Sequence, residues 1–220
     1  MSDVHVAYLG ARRRATQYTM RVFVPAPHAP CATSTSFRIA PTCRASTMRI
    51  PDLIRPIEAA DCAAAVALVR TVWDEHFAQH PDPSISGYWT GSRLDDIANA
   101  TVAYAGPGRL CLVALDGDTV IGAAAIAPLS SRVAELRRMF VARQYRRRGI
   151  ARALVWRLLE FARLSGYGRV CLGSNHALVA SHSMYRSLGF REIRAYEPGG
   201  ERHAIYMEID FGATPFSPGP

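Results

Sequence analysis

The chain has 220 residues, 49% of them hydrophobic and 20% charged, with 26 basic against 18 acidic side chains and a formal charge of +8. That length suits one globular domain of about 150–200 residues with some chain to spare, and no apolar run reaches the roughly 18–20 residues of a membrane helix. The five cysteines, none in a C-x-x-C pair, favour reduced, buried thiols of a cytosolic protein over a disulfide framework or a zinc cage.

Every basic residue is Arg. A need for positive charge would be met by Lys as well, so the pattern is that of codon bias in a GC-rich genome and does not argue for nucleic-acid binding. Residues 1–47 hold six Arg and one acid, are rich in Ala, Pro, Ser and Thr, and sustain no helical or strand period. No apolar h-region follows the early arginines, which argues against a secretory signal. The expectation is a disordered extension or an upstream start in place of Met48, with an organellar transit peptide as the alternative.

From Met48 the pattern alternates between strand and helix. A short strand is expected at Leu53–Ile57, then a helix N-capped by Asp61 and running to His80. Pro81, Pro83 and Gly87 open a loop carrying Tyr88 and Trp89, and a second helix covers Arg93–Ala103. Leu110–Leu115 and Val120–Ile126 flank Asp116-Gly117-Asp118-Thr119, which is hairpin chemistry. A strand at Ala134–Val141 leads into an Arg-rich turn at 143–148. The next helix places Ile150, Leu154, Leu158 and Phe161 on one stripe and stops at Gly166 and Gly168. A strand at Val170–Leu172, a helix at Val179–Leu188 and strands at Phe190–Tyr196 and Ala204–Ile209 complete a mixed α/β domain spanning residues 48–211, with 212–220 as a tail.

The stretch from Met139 to Ala151 carries the chemistry. A strand ends, the chain turns through Arg146, Arg147 and Arg148, and a helix begins at Gly149-Ile150-Ala151. A first helical turn has unpaired N–H groups and the positive end of the helix dipole, which together make an anion site. Gly149 allows close approach of a phosphate, and Ala151 keeps the next position small. Alone, R-x-x-G-x-A also describes a solvated basic loop. His76 and His80 lie four apart on one helix without a third ligand, so no metal is expected. The three arginines lack interleaved aromatics, so no RNA contact is expected.

Downstream, Met184-Tyr185-Arg186-Ser187-Leu188-Gly189-Phe190 resembles the Y-x-x-L-G-F signature of the Gcn5-related N-acetyltransferases (GNAT). The order of turn, amphipathic helix, strand and tyrosine matches that family over residues 53–210. The resemblance implies a central, mostly antiparallel twisted sheet, splayed between strands four and five and flanked by about four helices. It implies acetyl-CoA as cosubstrate without a metal, and transfer to a primary amine of a small molecule, protein N-terminus or lysine by direct attack. A non-catalytic acyl-CoA sensor is the alternative.

By the same resemblance, backbone amides from Arg146 to Ala151 hold the pyrophosphate, and Met139, Phe140 and Val141 pair with the pantetheine arm. An N–H of that strand polarises the thioester carbonyl. Tyr185 is the expected general acid toward the leaving thiolate, since a phenol is protonated at neutral pH. Glu135, eleven residues before Arg146, stands at the spacing of the base in histone-acetylating relatives. Tyr88 and Trp89 fall in the loop that borders the acceptor pocket in this fold. The chain departs from the family where Leu178 replaces the usual Asn seven residues before the tyrosine; Asn175 and Ser181 lie nearby. The expected partner is an amine acceptor, with no nucleic acid or membrane, a cytoplasmic location, and a homodimer left open.

Overall fold

The computed structural model describes residues 54–79, 94–196 and 204–212, all of them within the unit Ser46–Pro220. The leader 1–47, His80, the loop with Tyr88 and Trp89, and the tail beyond Gly212 lie outside the described residues. The elements run β1 (Ile54–Pro56), α1 (Cys62–Gln79), α2 (Asp95–Ala98), α3 (Ala100–Ala103), β2 (Leu110–Asp116), β3 (Thr119–Pro128) and β4 (Val133–Val141). They continue as α4 (Ile150–Leu164), β5 (Arg169–Asn175), α5 (Val179–Ser187), β6 (Arg191–Ile193) and β7 (Ala204–Asp210).

The strands form one sheet in the order β1-β2-β3-β4-β5-β7-β6. Every neighbouring pair is antiparallel except β4 and β5. That parallel pair meets only where Val133, Ala134 and Glu135 face Arg169, Val170 and Cys171. Beyond Glu135 the two strands part, which is the splay the family resemblance implies. From Leu136 onward β4 has, among the described residues, a strand neighbour on its β3 side alone.

Small residues in β3 explain how helices reach both faces of the sheet. Ala123 to Ala127 are buried, and the strand is covered on each side. Ala124 and Ile126 belong to a core cluster with Leu154, Val155, Leu158 and Leu159 of α4. Ala123, Ala125 and Ala127 belong to a second cluster with Cys62, Ala65 and Leu68 at the α1 side, joined by Ile97 and Tyr104. A Cβ at Gly122 would lie 3.2 Å from a Leu154 methyl, so α4 packs closely on β3 where the strand has no side chain.

Several element boundaries differ from the sequence expectation for local reasons. Asp61 does not cap α1; it ends a 3-10 turn, and its carboxylate accepts the Glu58 N–H at 2.8 Å and Arg55 at 2.6 Å. The helix expected over Arg93–Ala103 is broken into α2 and α3 at Asn99, whose side chain folds back on the Asp95 carbonyl. Strand β5 reaches Asn175 because Gly173, Ser174 and Asn175 pair with Tyr206, Ile205 and Ala204. Strand β6 is three residues long and stops at Ile193.

Candidate active site

The turn after β4 is built to leave donors unspent. A 3-10 turn over Arg143–Tyr145 returns the chain, Arg146 is extended, and α4 begins after Gly149. Arg147 has φ 61° and Gly149 has φ 82°. Two left-handed residues flanking Arg148 match the backbone alternation that, in an anion nest, turns consecutive N–H groups toward one point. The N–H groups of Arg147, Arg148 and Gly149 have no backbone partner among the described residues, and the first N–H groups of α4 have none by helix geometry. Gly149 takes its conformation freely, but the non-glycine Arg147 does so at a cost of about 1–2 kcal/mol.

The three arginines differ in what they do. Arg146 donates from Nε to the Val141 carbonyl at 3.1 Å and faces Glu75 of α1 at 3.5 Å, so it ties the turn to the strand end. Arg148 lies over the Tyr145 ring, 5.1 Å from its centroid, and the Tyr145 hydroxyl donates to Asp116 at 2.6 Å. Arg147 has no ion pair among the described residues and is exposed. Ile150 is buried in the α4 core, and Ala151 packs against it.

Strand β4 carries a bulge. Arg137 faces Ala125 and Phe140 faces Ala123, so Arg138 and Met139 together oppose Ala124. Arg138 has φ 58°. The bulge sits beyond the last residue that pairs with β5, so its backbone borders the splay. Met139 and Val141 pack toward the α4 core, and the Phe140 ring meets Trp73 of α1 edge-on at 6.1 Å between centroids.

Arg138 donates from Nε to both carboxylate oxygens of Asp96 in α2, at 2.9 and 3.1 Å. The Tyr104 hydroxyl donates to the same carboxylate at 2.7 Å. Burial, then the Asp96 carboxylate, pushes the Tyr104 phenol above its ordinary range. Glu135 is held by Arg137 and accepts the Tyr196 hydroxyl at 3.0 Å, and the Tyr196 ring meets Tyr206 at 4.7 Å. Its side chain is 12% exposed, at the base of the splay.

Tyr185 lies in α5 with its ring in the same buried cluster as Val141 and Ile150. It packs edge-on against Phe190, 5.6 Å between centroids. Burial alone raises its phenol above the ordinary tyrosine range, so the group is held protonated. No hydrogen-bond partner for its hydroxyl is present among the described residues. One turn earlier, His182 is also buried but fully engaged: Nε2 stands 3.1 Å from the Ser174 hydroxyl, and burial lowers its pKa. Asn175 gives its side-chain oxygen to the Ala177 N–H at 2.9 Å, and Leu178 precedes α5 directly.

Of the residues that sequence reasoning named, the structure brings Val141, Ile150 and Tyr185 to one cluster and sets Glu135 at the base of the splay. That reasoning missed the β4 bulge, the Asp96–Arg138–Tyr104 cluster and His182. The signal for the bulge was present: two consecutive arginines followed by two apolar residues cannot alternate across a regular strand. Among the described residues no group of three His, Cys, Asp or Glu side chains is arranged to hold a metal, and no helix is long and apolar enough to cross a membrane.

Comparison with known proteins places this geometry. A PaiA N-acetyltransferase from Thermoplasma acidophilum, solved in complex with coenzyme A, aligns with a TM-score of 0.57 at 18% identity, over 71% of this chain and 97% of the other. Among curated proteins, an N-acetylaspartate synthetase from Rattus norvegicus is 42% identical over 102 residues, 46% of this chain and 34% of the relative. N-acetyltransferase family 8 member 2 from the same species is 33% identical over 119 residues, 52% of this chain and 53% of the relative. The chain therefore spans between a third and about half of these curated relatives. The model of the acetyltransferase (GNAT) family matches residues 67–190, more than half of the chain, and covers the β4 bulge, the anion nest and Tyr185. The chain belongs to the acetyltransferase (GNAT) family.

Proposed function

We propose that this protein is an acetyl-CoA-dependent N-acetyltransferase acting on a primary amine by direct attack. The observation that carries the reading is the nest after β4, whose unspent N–H groups open beside the stretch of β4 that β5 leaves unpaired. An anion and an extended, amide-bearing arm fit those two features together. Bound there, acetyl-CoA supplies an activated acyl carbon.

The residues of the chain have distinct tasks in this reading. The backbone from Arg146 to Ala151 holds the pyrophosphate, with Arg147 and Arg148 adding charge. Met139, Phe140 and Val141 offer the open edge of β4 to the pantetheine amides, and an N–H beside the bulge stabilises the carbonyl oxygen as it gains charge. The amine nitrogen, relieved of one proton by Glu135, bonds to the acyl carbon; the carbon–sulfur bond breaks, Tyr185 donates its proton to the departing thiolate, and the second proton lost by the nitrogen returns to the phenolate as the amide forms. Glu135 receives the acceptor's ammonium and takes its proton, while Arg137 and Tyr196 fix the carboxylate.

The acceptor class proposed is a small amino acid bearing a side-chain carboxylate. The N-acetylaspartate synthetase relatives support it, as does Arg137, which is 41% exposed beside Glu135. The test is a panel of amines, with L-aspartate, other amino acids, polyamines and an N-terminal peptide, read by thiol release and product mass. Acetylation of an acidic amino acid is the expected outcome. Binding of CoA without turnover of any amine would replace the enzyme by an acyl-CoA sensor.

A further inference from the structure

We propose that Asp96 is a positioning residue for acetyl transfer: through Arg138 it holds the β4 bulge in the shape that aims its N–H groups at the acyl carbonyl. This rests on the N-acetyltransferase reading, but its structural half has a test that needs no turnover.

Arg138 has φ 58° in a strand, a region that an L-residue with a side chain enters only when its surroundings hold it there. The surroundings are charged and specific. Both oxygens of Asp96 accept from Arg138 Nε, and the two side chains are only 20% and 22% exposed. Water therefore competes little for the pair, and the charge-assisted bond is of the strong kind.

Asp96 is itself prevented from turning away. Tyr104, 7% exposed, donates to Oδ2 of the carboxylate, the oxygen that also takes the shorter bond from Arg138, and Ile97, the next residue after Asp96, is fully buried. Arg137 has a different carboxylate, Glu135, so neighbouring arginines are sorted to separate partners, one within β4 and one on α2. The conformation of the bulge is thereby set by a segment 42 residues earlier in the chain. Beyond Glu135 no β5 strand lies alongside β4 to impose that conformation instead.

The test is a set of variants read by single-turnover rate, acetyl-CoA affinity and backbone amide resonances. Asp96→Asn should slow the acyl-transfer step by about 10- to 100-fold, less than the roughly 10²–10³-fold of losing an oxyanion donor outright, with acetyl-CoA affinity little changed. Glycine takes a positive φ unaided, so the same Asn change in an Arg138→Gly background should cost nothing further. The amides of Met139 and Phe140 should shift in Asp96→Asn but not when the change is made on Arg138→Gly. A wild-type rate in Asp96→Asn, an equal loss in both backgrounds, or unmoved amides would overturn the proposal. If Asp96→Asn does not fold, Arg138→Ala against Arg138→Gly makes the same comparison: the alanine variant should be the slower, and equal rates would overturn it. A wild-type protein that acetylates no amine would defeat the enzymatic reading, and the amide resonances would still decide the role of Asp96.

Discussion

Arg138 and Arg147 have nearly the same backbone and opposite surroundings. They are the two non-glycine residues with positive φ among those described, at 58° and 61°. Arg138 is met by a carboxylate of the protein, itself held by a buried tyrosine. Among the described residues Arg147 meets no carboxylate, and the N–H groups that follow it have no backbone acceptor. Strain balanced by an internal anion is scaffold; strain surrounded by unspent donors calls for an anion from outside. The same contrast recurs within α5, where His182 has a partner in Ser174 while the Tyr185 hydroxyl, three residues on, has none among the described residues.

The largest expected effect lies on the uncommitted side. Tyr185→Phe keeps the ring and its packing on Phe190 but removes the proton, so the single-turnover rate should fall by about 10²–10⁴-fold with CoA affinity intact. A packing role predicts that Phe is tolerated and Ala destabilises. Next in size is Gly149→Glu, which strains the turn at φ 82° and sets a carboxylate in the nest. Loss of two charge-assisted bonds there corresponds to at least a 100-fold weaker CoA by calorimetry, at about 1.5–3 kcal/mol each.

Glycine at each arginine breaks the comparison most cleanly. Arg147→Gly should leave stability within about 0.5 kcal/mol in urea titrations, because relief of left-handed strain offsets added chain entropy. Arg138→Gly should destabilise, because Asp96 and Tyr104 lose the cation they face. Equal effects would erase the distinction between scaffold and site. Arg147→Gly should also weaken CoA by a few-fold at low salt, a loss that shrinks as salt is added.

The smallest effect is a pH dependence. Burial holds His182 below its ordinary value, while in the unfolded chain it titrates near about 6.5. As pH falls below that point the unfolded state binds the proton first, so stability is greatest above it and declines toward the folded pKa. The slope from this one group is at most about 1.4 kcal/mol per pH unit. Arg186, His176 and Glu192 act on the same imidazole. Chemical unfolding at pH 5.5 and 7.5 should show a smaller decline in His182→Gln than in wild type.

What the sequence made legible follows from which forces are local. The stripe of Ile150, Leu154 and Leu158 and the Gly117 turn, with φ 57°, are set by residues close in sequence, and both stand where expected. The nest was legible because helix-start chemistry is local as well. Asp96 was not, because its role exists only when α2 is brought against β4 from 42 residues away. Asn99 breaks a helix through its own side chain, a local signal that the apolar spacing overrode. The full length of β5 was hidden because Gly173, Ser174 and Asn175 are poor strand formers, held in the sheet by Tyr206 and Ile205.

We propose that the turn after β4 and the open edge of β4 together form the acetyl-CoA site. Titration of acetyl-CoA into isotope-labelled protein, followed by backbone amide resonances, tests it most directly. The largest shifts should fall on Arg147–Ala151 and on Met139–Val141, saturating together with one affinity. Shifts confined to other parts of the sheet, or a nest that stays unmoved while acetyl-CoA binds, would contradict it.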